Sequence, residues 1–315
     1  MQRRKGGDKR DMAVLTVFFQ MLALLIMIGT GYLIAKKGMM DAHTSGQISG
    51  MVVNVFNPLL FFSSAANAVG LIRLDTMLRI CLIAVVMFAV FIVAGMILTP
   101  LFDKHADQRK MFQMMFVFSN LGFIGIPVVS SILGSEYVVY VTEFLVVYNI
   151  FFYTYGIAVM DGSFSLSSLN SLVNPGTVCS VIAMAVIIYG IQIPEFIKTA
   201  TTYLGNAASP LALILVGFSL AQADMKKIFG EVRLYLFSLI KLLLLPLLML
   251  PFLRMATDDS AVISVCILMF GMPVGNMILM LGNERGIDGT TCGAAIILST
   301  VLCVFTVPVL LLAVG

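Results

Sequence analysis

Apolar runs of about 20 residues, nearly free of charge, recur along the whole chain. A helix needs about 20 mostly apolar residues to cross a bilayer, where the backbone must satisfy its own hydrogen bonds. The runs lack the alternation over about ten residues that is typical of membrane β-barrel strands. They predict an all-α polytopic membrane protein with ten spans. In chain order the spans cover residues 13–35, 48–70, 77–99, 111–134, 137–160, 173–191, 201–222, 233–253, 260–282 and 288–313.

Composition supports a membrane protein throughout. Of the 315 residues, 60% are hydrophobic and 11% are charged, and the mean hydropathy is +1.05. A soluble domain has about 25% charged residues, and no stretch here is long and polar enough to form one. The run at 13–35 exceeds the apolar region of a signal peptide, so we interpret it as a retained first helix.

Three landmark pairs recur at nearly the same offset and indicate an internal repeat. They are Asn54-Val-Phe-Asn-Pro58 with Asn206-Ala-Ala-Ser-Pro210, Pro127 with Pro273, and Leu133-Gly-Ser-Glu136 with Leu281-Gly-Asn-Glu284. Their offsets are 152, 146 and 148 residues. Because five spans per half is an odd number, the second half is inverted, as in many secondary transporters. We predict one repeat over residues 1–160, a short linker over 161–172 and a second repeat over 173–315.

Loop charges give two opposed indications of orientation. Loops that follow odd-numbered spans carry more Lys and Arg, for example Lys36, Lys104 and Lys226. The positive-inside rule then places these loops in the cytoplasm and both termini outside. The basic N-terminal tail favours the opposite orientation. We prefer the loop distribution, and the orientation stays open at this stage.

Spans 4 and 9 carry glycine and proline at matching positions. Proline removes a helical hydrogen bond and glycine eases unwinding, and an unwound stretch in a membrane needs protein or water around it. Matched breaks in two halves indicate a transport site, because half-helix N-termini suit an anion and exposed carbonyls suit a cation. The candidate substrate residues here are Asn120, Gly125, Pro127, Pro273, Gly275 and Asn276. The alternative is that the glycines and prolines only kink helices for packing.

Other polar residues inside the spans complete the candidate set. Asn54 and Asn206 stand near prolines, where they either cap freed carbonyls or contact substrate, and Asn149 in span 5 is placed to face the same cavity. Glu143 and Lys241 are ionisable and lie well inside spans, where a charge is a candidate functional group. We interpret Lys241 first, and Glu143 second, as a counter-charge or coupling residue. The alternative for both is snorkelling to the membrane surface. For Lys241 a further alternative is a structural partnership with a backbone carbonyl or with Glu143.

The sequence contains no pattern typical of an enzyme. Its two histidines, His43 and His105, lie in predicted loops, and the HExxH, GxSxG and P-loop motifs are absent. The five cysteines lie in apolar runs without CxxC spacing, which favours neither a disulfide nor a metal site. We therefore predict no enzyme activity, no cofactor and no metal. Without a P-loop, transport by this chain alone is secondary or passive.

Four segments in a fixed order carry a resemblance to a known family. They are Asn120-Leu-Gly-Phe-Ile-Gly-Ile-Pro127, Gly271-Met-Pro273-Val-Gly275, Gly282-Asn-Glu284 and the run from Ala294 to Pro308. With this order and spacing the sequence resembles the auxin efflux carrier family, which includes the plant PIN-FORMED carriers and many bacterial members. The resemblance covers essentially the whole chain.

The resemblance implies ten helices with spans 4 and 9 crossing at mid-membrane. It implies a scaffold of spans 1, 2, 6 and 7 that commonly dimerises, and a transport unit of spans 3–5 and 8–10 that moves like an elevator. Substrate would contact Asn120, Asn149 and the Pro273–Asn276 segment. Plant carriers export an indole acid anion, and bacterial relatives are associated with dicarboxylates such as malonate and malate. The short linker at 161–172 replaces the long plant loop, which puts auxin and phosphorylation control in doubt.

These observations favour a secondary transporter of small organic anions in the cell (inner) membrane, surrounded by lipid, forming a homodimer and binding no nucleic acid. One alternative is a cation-coupled symporter or antiporter of the same fold, which predicts an acidic residue at the crossover. Spans 4 and 9 contain none. The other alternative is a membrane sensor or scaffold without transport.

Overall fold

The computed structural model describes Phe19 and residues 22–70, 74–162, 173, 175–222 and 230–314. Within these residues the chain forms helices and one isolated β-bridge, and no strand. The basic N-terminal tail, most of the predicted linker and the loop at Lys226 lie outside the described residues. The helical class predicted from the apolar runs is confirmed.

Twelve helices account for most of the described chain. They are α1 Leu22–Lys36, α2 Ala42–Ala68, α3 Asp75–Leu101, α4 Ala106–Val117, α5 Leu121–Ile132, α6 Ser135–Asp161, α7 Pro175–Ile188, α8 Glu195–Gln222, α9 Val232–Ala256, α10 Ser260–Gly271, α11 Asn276–Glu284 and α12 Thr290–Val314. Six of them (α2, α3, α6, α8, α9 and α12) are long and apolar enough to cross a membrane, and α1, α5, α7 and α10 are shorter apolar helices.

Polar residues in the loops fix where several helices begin. The Asp41 carboxylate accepts a hydrogen bond from the backbone N–H of Thr44 at 2.7 Å at the start of α2. Asp259 accepts from Ala261 and Val262 at the start of α10. Side chains of this kind satisfy N–H groups that have no partner in the first turn. The helices therefore start at the polar ends of the apolar runs.

Three prolines within helices are accommodated by π turns. Such turns cover Val52–Phe56, Leu121–Gly125 and Ile240–Leu244, and Pro58, Pro127 and Pro246 follow them. A proline has no N–H to donate, so the backbone hydrogen bonds before it span five residues instead of four while the helix continues. A fourth π turn, Phe152–Gly156, lies in α6 without a proline.

Packing contacts join the helices into two sets with fewer contacts between them. In the first set, α2 packs against α7 and α8. In the second, α3 packs on α4 and α6, and α10 packs on α9 and α12. The sets meet where α6 contacts α7 and α2, and where α5 contacts α8.

Polar contacts between loops separate into two groups at opposite ends of the long helices. At one end, Arg233 pairs with Asp103 at 2.9 Å and Arg285 pairs with Asp161 at 2.8 Å. At the other end, Arg254 donates to the carbonyl of Ala313 at 2.9 Å. Because Arg233 and Arg254 stand near the two ends of α9, these contacts lie on different faces of the helical bundle.

Candidate functional site

The breaks predicted in spans 4 and 9 lie side by side. The first separates α4, which ends at Val117, from α5, and the second separates α10, which ends at Gly271, from α11. The Asn120 N–H donates to the Pro273 carbonyl at 2.7 Å, and the Gly275 N–H donates to the Phe118 carbonyl at 3.0 Å. This antiparallel bridge satisfies four backbone groups that the interrupted helices leave without partners.

The first break precedes Pro127 instead of surrounding it. Phe118 is extended, with φ of −104° and ψ of 105°, and α5 starts three residues later with a π turn that leads into Pro127. In the second break Met272 is extended and Pro273 lies inside the gap. Pro127 therefore shapes the start of α5, and Pro273 supplies a carbonyl to the bridge itself.

The glycines of the two breaks allow close approach. A Cβ atom on Gly275 would lie 3.2 Å from the carbonyl oxygens of both Phe118 and Ser119, and one on Gly125 would lie 3.3 Å from the Met269 Cε atom. Asn276 is the first residue of α11 and is half-buried. Gly275 thus allows the backbones of the two breaks to approach closely, whereas Gly125 packs against the end of the Met269 side chain.

Asn120 and Asn57 bring two buried amide groups to the start of α5. The Asn120 Oδ1 atom caps α5 by accepting from the Phe123 N–H at 3.1 Å, while its Nδ2 atom has no partner among the described residues. The Asn57 Nδ2 atom lies 3.6 Å from the position of a Cβ atom on Gly122, and the Asn57 Oδ1 atom also has no partner in the described part. An unsatisfied buried polar atom costs about 1–3 kcal/mol, so these two atoms are candidates for contact with a ligand.

Lys241 reaches the same region from the π turn of α9. Its side chain is fully buried, and the Nζ atom donates to the Ser119 hydroxyl at 2.6 Å and to the Phe270 carbonyl at 3.0 Å. The Nζ atom also lies 5.2 Å from the centroid of the Phe91 ring. The Lys241 amine therefore binds the C-terminal ends of the two half-helices α4 and α10.

Ser299 is a site residue that the sequence analysis missed. Its hydroxyl accepts from the Val274 N–H at 3.1 Å and donates to the Ile296 carbonyl at 3.1 Å. Ser119 was likewise missed as a side-chain partner, although it stands in the first break. A serine in an apolar helix gives no sequence signal that separates such a contact from self-capping.

Glu143 is buried away from Lys241. Its side chain is 0% exposed, and neither carboxyl oxygen has a hydrogen-bond partner in the part of the chain that the structure describes. The Cys81 and Cys266 thiols lie within electrostatic range of it. The pairing of Lys241 with Glu143 is not formed, because the lysine binds Ser119 and Phe270 instead.

Three other candidates lie apart from the two breaks. Asn149 donates from Nδ2 to the Thr177 hydroxyl at 2.8 Å and so joins α6 to α7. Asn54 is exposed and donates to the Gly50 carbonyl at 2.9 Å, one turn earlier in its own helix. Asn206 is exposed at a turn within α8.

Aromatic side chains enclose the Lys241 side of the breaks. Phe270 packs against Phe91 and Phe88, with ring centroids at 4.5 and 4.9 Å. A crevice between Phe88, Ser119, Leu121 and Phe270 is too narrow to hold a water molecule. The packed side chains leave no room for a ligand in this crevice.

Long apolar helices and a buried polar site at their breaks define an integral, multi-pass membrane protein. The chain matches the family model described as "Membrane transport protein" over residues 16–165 and 164–311. It therefore belongs to this membrane transport family, which confirms the resemblance to the auxin efflux carriers, and membership indicates a transport role rather than catalysis.

Similar proteins come from bacteria and archaea. A protein named "Putative malonate transporter" from Rhizobium meliloti is 24% identical over 298 residues, which cover 90% of this chain and 92% of that protein. An uncharacterized transporter of Methanothermobacter thermautotrophicus is 25% identical over 303 residues, covering 91% of this chain and 95% of the relative. An uncharacterized transporter of Methanocaldococcus jannaschii is 22% identical over 298 residues, covering 89% and 92%.

Proposed function

We propose that this protein is a secondary transporter of small organic anions, with carboxylates as substrates, and that it binds them where the two breaks meet. The observation that carries the proposal is the convergence of two half-helix N-termini, those of α5 and α11, beside two amide donors. The Asn120 Nδ2 atom has no partner among the described residues, and the Asn57 Nδ2 atom lies next to Gly122 at the start of α5. Helix N-termini present N–H groups and a positive dipole end, which suit a carboxylate. Spans 4 and 9 contain no acidic residue that would repel an anion.

The proposed architecture has ten spans in two inverted halves, with spans 4 and 9 crossing at their breaks. Its support includes the equal length of α4 and α10, which have 12 residues each and begin 154 positions apart. Helices α5 and α11 are followed at matching distances by Gly134 and Gly286, both with positive φ. The loop contacts at two opposite ends fit spans that alternate in direction.

The proposed transport cycle is an elevator movement of one helix set against the other. Helices α1, α2, α7 and α8 form the scaffold, which dimerises, and the remaining helices carry the substrate across the cell (inner) membrane. The two contact sets of the fold support this assignment for α2, α7 and α8, and close backbone contact at Gly31 and Gly217 joins α1 to α8. Asn57 belongs to the scaffold and Asn120 to the moving unit, so a substrate held by both is bound at the sliding surface.

Dicarboxylates are the first substrate class to examine. One relative carries malonate in its name, and two amide side chains with two helix N-termini offer donors for more than one carboxylate group. Monocarboxylates, including auxin-like indole acids, are the second class. The site has no described aromatic pocket wide enough for an indole ring in this closed arrangement.

A proton-coupled form of the same transport is the alternative that a specific observation favours. Glu143 is a fully buried carboxyl group without a hydrogen-bond partner among the described residues. Ionisable groups inside membranes often carry protons in transporters. Uptake driven by an imposed pH gradient in wild-type protein but not in Glu143→Gln would support this form, and equal responses of the two proteins would exclude Glu143 from coupling.

The substrate class is tested by thermal shifts of the purified protein. The ligand panel contains monocarboxylates, dicarboxylates and indole acids, each measured at two pH values, with matched neutral amides as controls. Bound ligand stabilises the folded state by mass action, so we expect a concentration-dependent rise in melting temperature with one carboxylate class. A flat response to the whole panel would favour a sensor or scaffold without transport.

A further inference from the structure

Lys241 satisfies the C-terminal ends of two half-helices with a single amine. Its contacts are the Ser119 hydroxyl just beyond α4 and the Phe270 carbonyl one residue before the end of α10. The carbonyls of a last helical turn have no intrahelical partner, and they carry the negative end of the helix dipole. A positively charged group at this junction therefore balances the carbonyl end of α10 directly and is tied to the end of α4 through the Ser119 hydroxyl.

The surroundings of the Lys241 amine are those of a small cation site. A backbone carbonyl, a hydroxyl oxygen and the face of the Phe91 ring are the groups within reach. All three attract monovalent cations, the ring through its quadrupole. In secondary transporters, carbonyls of interrupted helices and half-helix C-termini are the ligands of coupling cations. No described acidic side chain pairs with Lys241.

We propose that Lys241 fills a monovalent-cation site with its own side chain, acting as a tethered cation that holds the two breaks together. The cation site itself is inferred from the contacts of the amine. Only the role of Lys241 in the transport cycle rests on the proposed transport function. The ammonium remains with the protein throughout the cycle. When the lysine side chain is removed, the same oxygen atoms and ring offer a vacant place for a free small cation.

The test replaces Lys241 by alanine and supplies cations from solution. Purified K241A is measured in choline chloride and then with ammonium, methylammonium, sodium or potassium chloride, both for melting temperature and for uptake of radiolabelled malonate into proteoliposomes. In choline we expect uptake to fall by about tenfold or more, because a charged hydrogen-bond donor is lost from a buried site. Ammonium or methylammonium should restore part of the uptake and raise the melting temperature of K241A.

The matched control is K110Q, which alters a half-buried lysine on α4 that donates to the Met160 carbonyl at 3.3 Å. Wild type and K110Q should respond equally to all five salts. Any effect of ammonium on pH gradients acts on all the proteins alike, so comparison with these two controls separates it from reactivation of K241A. A folded K241A that no cation reactivates or stabilises would overturn the proposal, as would wild-type uptake by K241A in choline.

A folding defect in K241A is also informative. Recovery of folded K241A only when it is purified in ammonium or methylammonium would support the cation site. Failure to recover folded K241A in either of these two salts would overturn the proposal. Absence of carboxylate uptake by wild type would instead count against the proposed function, while the thermal response of K241A to small cations would still decide the present proposal.

Discussion

At the scale of single residues, Asn57 carries a buried polar atom that the proposed substrate site would explain. Its side chain is 6% exposed and its Oδ1 atom lacks a partner, next to a second amide with an unsatisfied Nδ2 atom. Membrane interiors offer no water to satisfy such groups. A carboxylate that accepts from the Asn120 Nδ2 atom would remove the cost of that donor, and the hydroxyl of a protonated carboxyl group would satisfy the Asn57 Oδ1 atom.

Replacing Asn57 by alanine should impair substrate binding without unfolding the protein. We expect the KM for malonate uptake to rise by about fivefold or more, because the Asn57 Nδ2 atom, which lies next to Gly122, would no longer donate to a bound carboxylate. The melting temperature should change by less than about 2 °C, since the Oδ1 atom has no protein partner to lose. The control is N67A on the same helix, where the exposed Asn67 side chain contacts the Thr202 hydroxyl at 3.4 Å. An unchanged KM in N57A would remove Asn57 from the site.

Asp103 gives the loop at the end of α3 a pH-dependent contribution to stability. Hydrogen bonds from the His105 backbone and side chain, followed by those from Arg233, lower the pKa of the Asp103 carboxyl. A lowered folded-state pKa stabilises the protein above the unfolded pKa, and this stabilisation is lost as the pH falls through the folded value.

We therefore expect D103N to melt about 2 °C below wild type at pH 7, with the difference shrinking as the pH is lowered toward 4 and below. Thermal unfolding of detergent-solubilised protein across that pH range measures it. D107N alters a more exposed carboxylate that pairs with Lys110 at 3.4 Å and should show a smaller change. A D103N deficit that is constant across pH would contradict the electrostatic explanation.

Single residues also show what the sequence pattern could not supply. The N-x-x-x-P repeat drew attention to Asn54, yet Asn57, three positions later, is the buried amide, because the π turn of α2 leaves Asn54 exposed. The Ser119 partner of Lys241 lies 122 residues away in sequence. A contact across such a distance depends on how helices pack, which the pattern of apolar residues does not encode.

At the scale of helices, the broken spans were predictable and their geometry was not. Glycine and proline located both breaks to within a few residues, because these residues weaken a helix whatever surrounds it. The interruption before α5 nevertheless occurs at Phe118–Asn120, since a π turn accommodates Pro127 and the Asn120 cap starts the helix. Which backbone groups pair across the breaks follows from tertiary contact alone.

Helices α1 and α8 cross through two glycines. A Cβ atom on Gly217 would overlap the Ile28 carbonyl oxygen, and one on Gly31 would overlap the Ile214 carbonyl oxygen. Small residues allow helix backbones to touch in membranes, where van der Waals contact drives association. The proposed scaffold depends on this crossing.

Substituting alanine for Gly217 should separate α1 from α8. Overpacking typically costs about 1–3 kcal/mol, which corresponds to a fall in melting temperature of roughly 3 °C or more. The control is G46A in α2, where a Cβ atom meets nothing within 4 Å and alanine favours the helix. Fluorescence-detected size-exclusion chromatography after heating measures both variants. A G217A protein with the melting temperature of wild type would show that separating α1 from α8 does not destabilise the protein.

At the scale of the whole molecule, the apolar runs predicted an integral membrane protein and a helical fold because crossing a bilayer requires both. The proposed division into moving and fixed sets is not contained in those runs. It depends on which helices share contacts, as Asn149 on α6 shows. Predicted as a substrate residue, it bonds to Thr177 on α7 at 2.8 Å and links the two sets.

A disulfide across this link should stop an elevator movement. The pair N149C and T177C is made in a background without the five native thiols, which are free cysteines. Oxidation should abolish malonate uptake and reduction should restore it, because the two sets can no longer slide. A pair within the moving set, Q108C with D288C, joins groups that contact at 3.0 Å and should leave uptake unchanged when oxidised. Full uptake by the oxidised N149C–T177C protein would contradict the elevator mechanism.

The central claim is that an organic anion crosses the membrane through the meeting point of the two breaks. The most direct measurement is initial uptake of radiolabelled malonate by proteoliposomes that contain wild type or the N57A–N120A double variant. We predict saturable wild-type uptake above protein-free vesicles and a rate about tenfold or more lower in the double variant. Equal rates in the two proteins, or wild-type uptake no higher than in protein-free vesicles for malonate and every other carboxylate of the panel, would contradict the account.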